Sequence, residues 1–182
     1  MKLLSPYEPW LPNAWQIAAL IGAFVAAAWL GYLLKQHGAE FEKLLPNGVL
    51  DLETPWSTRV ADDVLHRLGV VGVNAARAHT KLDFAFLLLY PVAMSLGCAL
   101  LGGALTGTMG ALCILASWSV LLAAPLDAIE NVSILRMLAG DTAAPWPQLS
   151  TICAAVKFTL IGGAFAFLVL GFGSLLLHWI KR

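Results

Sequence analysis

The chain has 182 residues and no formal net charge, because 11 lysines and arginines balance 11 aspartates and glutamates. Charged residues make up 12% of the sequence and hydrophobic residues 59%, whereas soluble domains average about 25% and about 45–50%. With a mean hydropathy of +0.78, this composition excludes an ordinary soluble domain and predicts a single membrane domain over residues 1–182. The charge balance has no basic excess, so we expect no nucleic acid partner.

The cysteines and glycines carry no signature of a cofactor or metal. Cys98, Cys113 and Cys153 all lie in apolar runs without C-x-x-C spacing, which predicts buried thiols and neither a disulfide framework nor a zinc site. The sequence has no dinucleotide fingerprint, phosphate loop or nucleophile elbow. No pair of histidines in the apolar stretches could face each other across a haem, so we expect no cofactor.

Four apolar stretches are long enough to cross a bilayer, which takes about 20 residues at 1.5 Å rise each. Gly102-Gly103 and Thr106-Gly107 predict a tight turn between the second and third of them. Gly140 is expected in the position after the third helix that favours glycine, and Ser150 is expected to cap the fourth. The predicted spans are about 14–34, 82–104, 108–138 and 150–179.

Small residues recur every four positions along the first and fourth spans. Such stripes let helix backbones approach closely, within one chain or between chains. We therefore expect an all-α fold, an antiparallel four-helix transmembrane bundle. Its expected partners are membrane lipids and either other membrane subunits or a second copy of the chain. The stripes are Ala19, Ala23, Ala27 and Gly31 in the first span and Ala155, Thr159 and Gly163 in the fourth.

The distribution of lysine and arginine predicts the orientation in the membrane. The segments 35–81 and 139–149, with the end of the third span, hold seven such residues, and the terminal segments hold three. This bias favours cytoplasmic loops and termini on the opposite side, as in a bacterial inner membrane protein.

The long segment 35–81 contains the pattern of a short amphipathic helix. Ser57 or Thr58 is placed to cap it, and Gly69 and Gly72 are expected to end or bend it. We expect the helix to lie on the cytoplasmic interface. Its predicted apolar face consists of Val60, Val64, Leu68 and Val71.

Among the polar residues inside the predicted spans, six are candidates for a site, because an ionisable group at the helix centre costs at least about 2.5–3.5 kcal/mol. Depth along the helices brings all six toward the cytoplasmic leaflet, so we expect them to meet in the protein interior. They are Asp83 and Tyr90 in the second span, Asp127, Glu130 and Asn131 in the third, and Lys157 in the fourth.

This polar cluster supports a functional hypothesis. It would bind a lipid or other lipophilic small molecule and perform acid–base chemistry, such as proton transfer or isomerisation, on it. In this hypothesis Asp83, Asp127, Glu130 and Lys157 are the catalytic groups, while Tyr90 and Asn131 orient the substrate. When acids cluster in a desolvated site, their pKa values move apart, so that one can act as an acid and another as a base.

Three alternatives remain open from the sequence. The cluster is a structural ion-pair clamp, with Lys157 bound to Asp127 or Glu130, in a non-catalytic subunit of a larger membrane complex. Otherwise Asp83, Asp127 and Glu130, with His79, hold Mg²⁺ or Mn²⁺, although the lysine among them argues against a metal. A proton or ion path is the third.

The same residues belong to a longer pattern across residues 65–160. It has a glycine-containing turn, an acid followed by aromatics, a D-x-x-E-N cluster and a lysine. These are Leu68-Gly69 and Gly72, then Asp83, Phe86 and Tyr90, then Asp127, Glu130 and Asn131, and finally Lys157. The pattern resembles that of small bacterial four-helix membrane proteins. That resemblance implies the same fold and transfers no activity.

Overall fold

A computed structural model describes residues 3–8 and 13–180, and within these ranges the ordered elements are all helical. This confirms the predicted all-α class. The helices of the described chain are α1 (Asn13–Glu42), α2 (Leu50–Glu53), α3 (Thr58–Phe86), α4 (Tyr90–Ala104), α5 (Gly107–Val120), α6 (Ala123–Leu138) and α7 (Trp146–Ile180).

Four helical stretches are long and apolar enough to cross a membrane, which agrees with a membrane-embedded protein. They are Ala14–Glu42, Thr58–Ala104, Gly107–Leu138 and Trp146–Leu177. The first continues past the apolar residues because its last two turns contain Lys, Gln and Glu, which are good helix formers.

Prolines explain why three helix boundaries differ from those predicted. Three prolines lie in the first turn of a helix: Pro91, Pro125 and Pro147. Backbone N–H groups in the first turn have no acceptor within the helix, so a proline there costs no hydrogen bond. The helices predicted over 82–104 and 108–138 are therefore interrupted just before Pro91 and Pro125. The last helix begins at Trp146, so the prediction that Ser150 caps it is wrong.

Two other predicted helix ends are confirmed. The Ser57 hydroxyl accepts a hydrogen bond from the Val60 backbone N–H at the start of α3. After α6, Gly140 has φ +94° and donates its N–H to the carbonyl of Met137. The N–H of Asp141 bonds to the carbonyl of Arg136, which completes the glycine-dependent helix stop.

The predicted apolar face of α3 is only partly correct. Val64 and Leu68 are buried, but Val60 and Val71 are exposed. The buried face also contains Ala61 and Gly72. Gly69 lies between them with φ 57° and ψ −172°, a backbone conformation essentially restricted to glycine. It shifts the helical register, so Val71 does not continue the face begun by Val64 and Leu68.

The described residues form two compact units. The first comprises those within 1–27, 88–124 and 158–182, and the second comprises 28–87 and 125–157. In the first unit α4 and α5 pack closely: a Cβ on Gly110 of α5 would lie 3.1 Å from the backbone carbonyl oxygen of Gly102 on α4.

Each unit has its own core. In the first, Cys98 packs with Ala116, Val120 and Ala164. Cys113, also in the first unit, and Cys153, in the second, are likewise free and buried, which confirms the prediction of buried thiols. The core of the second unit joins the end of α1 with α2, α3 and α6. Its buried residues are Phe41, Leu45, Leu52, Ala61, Val64, Leu68, Ala76, Ile134, Met137 and Leu138.

Candidate functional site

The centre of the site is the ammonium group of Lys157, buried in the second unit. Its Nζ atom lies 2.9 Å from Oδ1 of Asp127 and 2.9 Å from both carboxylate oxygens of Glu130. Lys157, Asp127 and Glu130 are each no more than 5% exposed. Because Asp127 and Glu130 are three residues apart on α6, they present both carboxylates to one point on α7. The pairing predicted from the sequence is confirmed.

A third carboxylate, that of Glu53, reaches the same ammonium group. Its Oε1 atom lies 3.8 Å from Lys157 Nζ, and its side chain is 14% exposed. Glu53 was not among the predicted site residues because it lies outside the apolar spans. The local sequence gives no reason to expect Glu53 in the cluster rather than Asp51, whose carboxylate accepts a hydrogen bond from the Asn47 side chain.

The backbone after Glu53 explains how this carboxylate is held. Ser150 donates its hydroxyl to the carbonyl of Glu53 at 2.9 Å, and the N–H of Trp56 donates to the Thr151 hydroxyl at 3.0 Å. Both side chains come from the first turns of α7, the helix that carries Lys157. Pro55 between the two bonded positions is fully buried, so α2 is fixed against α7 by hydrogen bonds and packing.

Asp83 joins the cluster through an amide and not through the lysine. Its Oδ2 atom accepts a 2.7 Å hydrogen bond from the Nδ2 group of Asn131, which is 3% exposed. Asn131 follows Glu130 on α6, so one helix holds both the lysine-bound acids and the amide that positions Asp83. The structure thus assembles five of the six predicted site residues within the second unit.

The sixth predicted residue, Tyr90, belongs to the first unit. We expected it to lie two turns after Asp83 on one continuous helix. The structure ends α3 at Phe86 and starts α4 at Tyr90, because Pro91 would clash with the carbonyl four residues earlier in an unbroken helix. Asp83 and Tyr90 therefore lie on separate helices, and the role of Tyr90 as a substrate contact stays a prediction.

The geometry gives no support to the metal alternative. Among residues 3–8 and 13–180, no group of three or more His, Cys, Asp or Glu side chains is arranged to hold a metal ion. The His79 ring packs edge-on against Phe41, with ring centroids 5.3 Å apart. Lys157 occupies the point where the three carboxylates converge.

Carboxyl groups outnumber lysines in the cluster by four to one, counting Glu53, Asp83, Asp127 and Glu130 against Lys157. Burial raises the pKa of Glu53 above its ordinary value of 4.5; the Lys157 charge opposes this rise, and the charges of Asp127 and Asp83 add to it. Glu53 and Glu130 both contact the Lys157 ammonium group, and a proton on one of them would remove the repulsion between two buried negative charges.

A buried oxygen supports a proton at this point. Oε2 of Glu53 is buried with no hydrogen-bond partner among the described residues. An ionised carboxylate with a buried oxygen that accepts no hydrogen bond would carry a large desolvation cost. A protonated carboxyl avoids this cost, because it is neutral and can donate a hydrogen bond. The cluster can therefore hold a proton next to an ionised, lysine-paired acid, the arrangement that general acid–base chemistry requires.

Replacing Lys157 should expose the electrostatic cost of the cluster. Lys157→Met leaves the carboxylates of Asp127 and Glu130 without their ammonium partner, and we expect it to destabilise the protein by about 3–5 kcal/mol. Adding Asp127→Asn and Glu130→Gln to Lys157→Met should restore much of the loss. Thermal unfolding in a mild detergent measures both, with the exposed Lys35→Met as the control. Equal stability of Lys157→Met and the wild type would contradict the ion-pair network.

The raised pKa of Glu53 predicts a pH-dependent effect of Glu53→Gln. Because the folded protein binds this proton more tightly than the unfolded chain, its stabilising contribution is present below pH 4.5 and is lost as the pH rises through the folded-state pKa. Glu53→Gln removes this loss, so the melting temperature of the variant relative to that of the wild type should rise as the pH increases above 4.5. The control is Glu40→Gln, outside the cluster. A difference that stays flat or shrinks with pH would show that Glu53 is ionised throughout.

Comparison with known proteins adds no assignment to this geometry. No family model matches the chain, and neither the curated proteins nor the solved structures contain a match to it.

Proposed function

We propose that this protein binds a lipid or other lipophilic small molecule and that its buried polar cluster performs acid–base chemistry on it, as proton transfer or isomerisation. The observation that carries the proposal is the ratio of four carboxyls to one lysine. A clamp needs one acid for each base, because every further buried charge adds a desolvation cost without a partner. Ionisable groups inside membrane spans mark functional sites more often than structural ones.

Each residue of the cluster has a distinct role in this proposal. Glu53 and Glu130 share a proton, and one of them is the acid that delivers it to the bound molecule. Asp127, paired with Lys157, is the ionised carboxylate that takes a proton back. Asp83 is the second candidate base, held by Asn131, and both this pair and Lys157 fix the geometry of the site. Tyr90 remains a proposed substrate contact supported by the sequence alone.

The competing proposal is that the cluster is an internal clamp in a structural or assembly subunit of a larger membrane complex. The close contacts of Lys157 with Asp127 and Glu130, at 2.9 Å each, favour it. So does the position of two cavities in the described chain, whose lining includes none of the cluster residues. The two proposals differ in what happens when the charge of an acid is removed without breaking its hydrogen bonds.

For the arrangement in the membrane, we propose four antiparallel spans in a bacterial inner membrane. Cytoplasmic loops 35–81 and 139–149, and termini on the opposite side, are supported by the excess of lysine and arginine in those loops. The three opposing basic residues, Lys2, Lys181 and Arg182, lie outside the described residues. The start of α3, with its buried face at Val64 and Leu68, is the proposed interfacial helix.

The proposed partners are membrane lipids and either other membrane subunits or a second copy of the chain. Support comes from the small-residue stripes: a Cβ added at Gly22 on α1, or at Gly162 or Gly163 on α7, would meet no atom within 4 Å. A neighbouring helix can approach such positions closely.

Asp83→Asn tests whether the cluster acts as an acid–base site. The amide oxygen of the new side chain can still accept the hydrogen bond of Asn131, so we expect a melting temperature within about 2–4 °C of the wild type, equivalent to about 1 kcal/mol. An amide at this position cannot take up or release a proton, so the part of the chemical conversion that uses Asp83 as a base should be lost. Mass spectrometry of the organic extract, comparing unconverted and converted species that co-purify in mild detergent, measures this.

Asp62→Asn, an exposed position on the same helix, is the matched control and should leave the extract unchanged. If Asp83→Asn and Asp127→Asn both give the wild-type extract, and Asp127→Asn instead releases a co-purifying protein subunit, the acid–base proposal is wrong and the clamp is correct.

A further inference from the structure

A second polar feature of the second unit lies at the bend of α3, outside the lysine cluster. An open cavity of about 500 Å³ is formed there, and its described lining belongs entirely to α3. Most of the lining is glycine, leucine and valine, and none of it belongs to the cluster. Three polar side chains complete it: His66, Asn74 and Arg77.

The bend at Gly69 brings these side chains to one cavity. Gly69 interrupts the helical backbone with φ 57° and ψ −172°, and a Cβ added at this position would meet no atom within 4 Å. His66 lies before the bend. Asn74 and Arg77 follow it three residues apart, so they are neighbours on one helix face. Side chains from both sides of the bend therefore line the same space.

The Arg77 guanidinium is held in place and keeps further donors. Its Nη2 group donates a 2.8 Å hydrogen bond to the carbonyl of Leu138 at the end of α6. A guanidinium has five N–H groups, and Arg77 forms no ion pair with an acid of the described chain. His66 and Asn74 are exposed and form no hydrogen bond with another described residue. The cavity thus presents donors that a ligand can satisfy.

The charge of the lining selects an anion. Arg77 is a cation, and the lining contains no aspartate or glutamate. The planar fork of an arginine matches the oxygens of a phosphate or a carboxylate, and the Asn74 amide beside it can donate to a further oxygen. A carboxylate offers only two oxygens, so a phosphate group makes fuller use of these donors.

The position of the cavity along the chain indicates which molecule carries the phosphate. Between Leu82 and Ala104 the only charged residue is Asp83, and this run belongs to a stretch long and apolar enough to cross a membrane. Arg77 precedes Leu82 by about 8 Å along the helix, at about 1.5 Å per residue. The head-group layer of a bilayer is about 5–8 Å thick on each side, so Arg77 lies at about the depth of the lipid phosphates.

Exposed valines beside the cavity favour a lipid over free phosphate. Val70, which lines the cavity, is 81% exposed, and Val71 is 77% exposed. These are the highest exposed fractions among the large hydrophobic side chains of the described residues. Contact with hydrocarbon would remove this apolar surface from water, which is favourable.

The geometry points to a binding site for the phosphate group of a membrane lipid at the bend of α3. Arg77 and Asn74 bind the phosphate oxygens, His66 lies at the rim, and Val70 contacts the apolar part of the lipid. This site is separate from the proposed acid–base cluster, because the two have no residue in common. Its lipid is a bound partner of the protein and is not converted there.

Lipid titration of the delipidated protein in mild detergent, followed by native mass spectrometry, tests the phosphate contact. The probes are phosphatidic acid and diacylglycerol with identical acyl chains, which differ only in the phosphate. We expect the wild type to bind phosphatidic acid about tenfold more tightly, as one charge-assisted hydrogen bond implies. Arg77→Gln should remove most of this preference. Asn74→Ala, which breaks no hydrogen bond among the described residues, should reduce it about threefold. The control Arg59→Gln, exposed on α3 outside the lining, should keep it.

Inorganic phosphate as a third probe distinguishes the two sources of the anion. Val70→Ser should weaken binding of phosphatidic acid several-fold and leave binding of inorganic phosphate unchanged, whereas Val60→Ser, outside the lining, should affect neither. Wild-type binding of inorganic phosphate as tight as that of phosphatidic acid would assign the site to free phosphate and overturn the lipid assignment. Equal wild-type binding of the two lipids, or an undiminished preference in Arg77→Gln and Asn74→Ala, would overturn the site itself.

Discussion

The buried ammonium group of Lys157 is the constraint on which the second unit depends. It sits on α7 and is contacted by carboxylates from α6 and α2, so three helices meet at one charge. An unpaired charge in this interior would cost several kcal/mol, and each contacting acid therefore restricts where its helix can lie. Two hydrogen bonds also fix α2 against α7 next to the lysine: the Ser150 hydroxyl donates to the Glu53 carbonyl, and the Thr151 hydroxyl accepts from the Trp56 N–H.

The acids exceed what this constraint requires, and that excess is the basis of the functional account. Asp127 and Glu130 already satisfy the lysine, yet Glu53 and Asp83 are also placed in the cluster. The proposed proton shared by Glu53 and Glu130 would lower the buried charge and give the buried Oε2 atom of Glu53 a role. The first unit differs in character: its principal feature is an apolar cavity with one carboxylate, Glu8.

Much of this could be predicted from the sequence, and the errors have physical causes. Hydropathy identified the four apolar stretches because a sufficiently long run of apolar residues can be recognised from the sequence alone. The contact of Lys157 with Asp127 and Glu130 followed from helical spacing and depth. Interruptions before Pro91 and Pro125 were missed because hydropathy continues unchanged through a helix break. Glu53 was missed because its position depends on the docking of α2 against α7, a contact between residues nearly one hundred positions apart.

Infrared spectroscopy of the purified protein tests the central claim most directly, because a protonated carboxyl has a carbonyl stretching band that an ionised one lacks. At neutral pH the wild type should show this band, shifted in D₂O, and the band should weaken in Glu53→Gln and in Glu130→Gln while remaining in Glu40→Gln, outside the cluster. A wild-type spectrum without any protonated carboxyl at neutral pH would mean that all four acids are ionised, and the acid–base account of the cluster would be wrong.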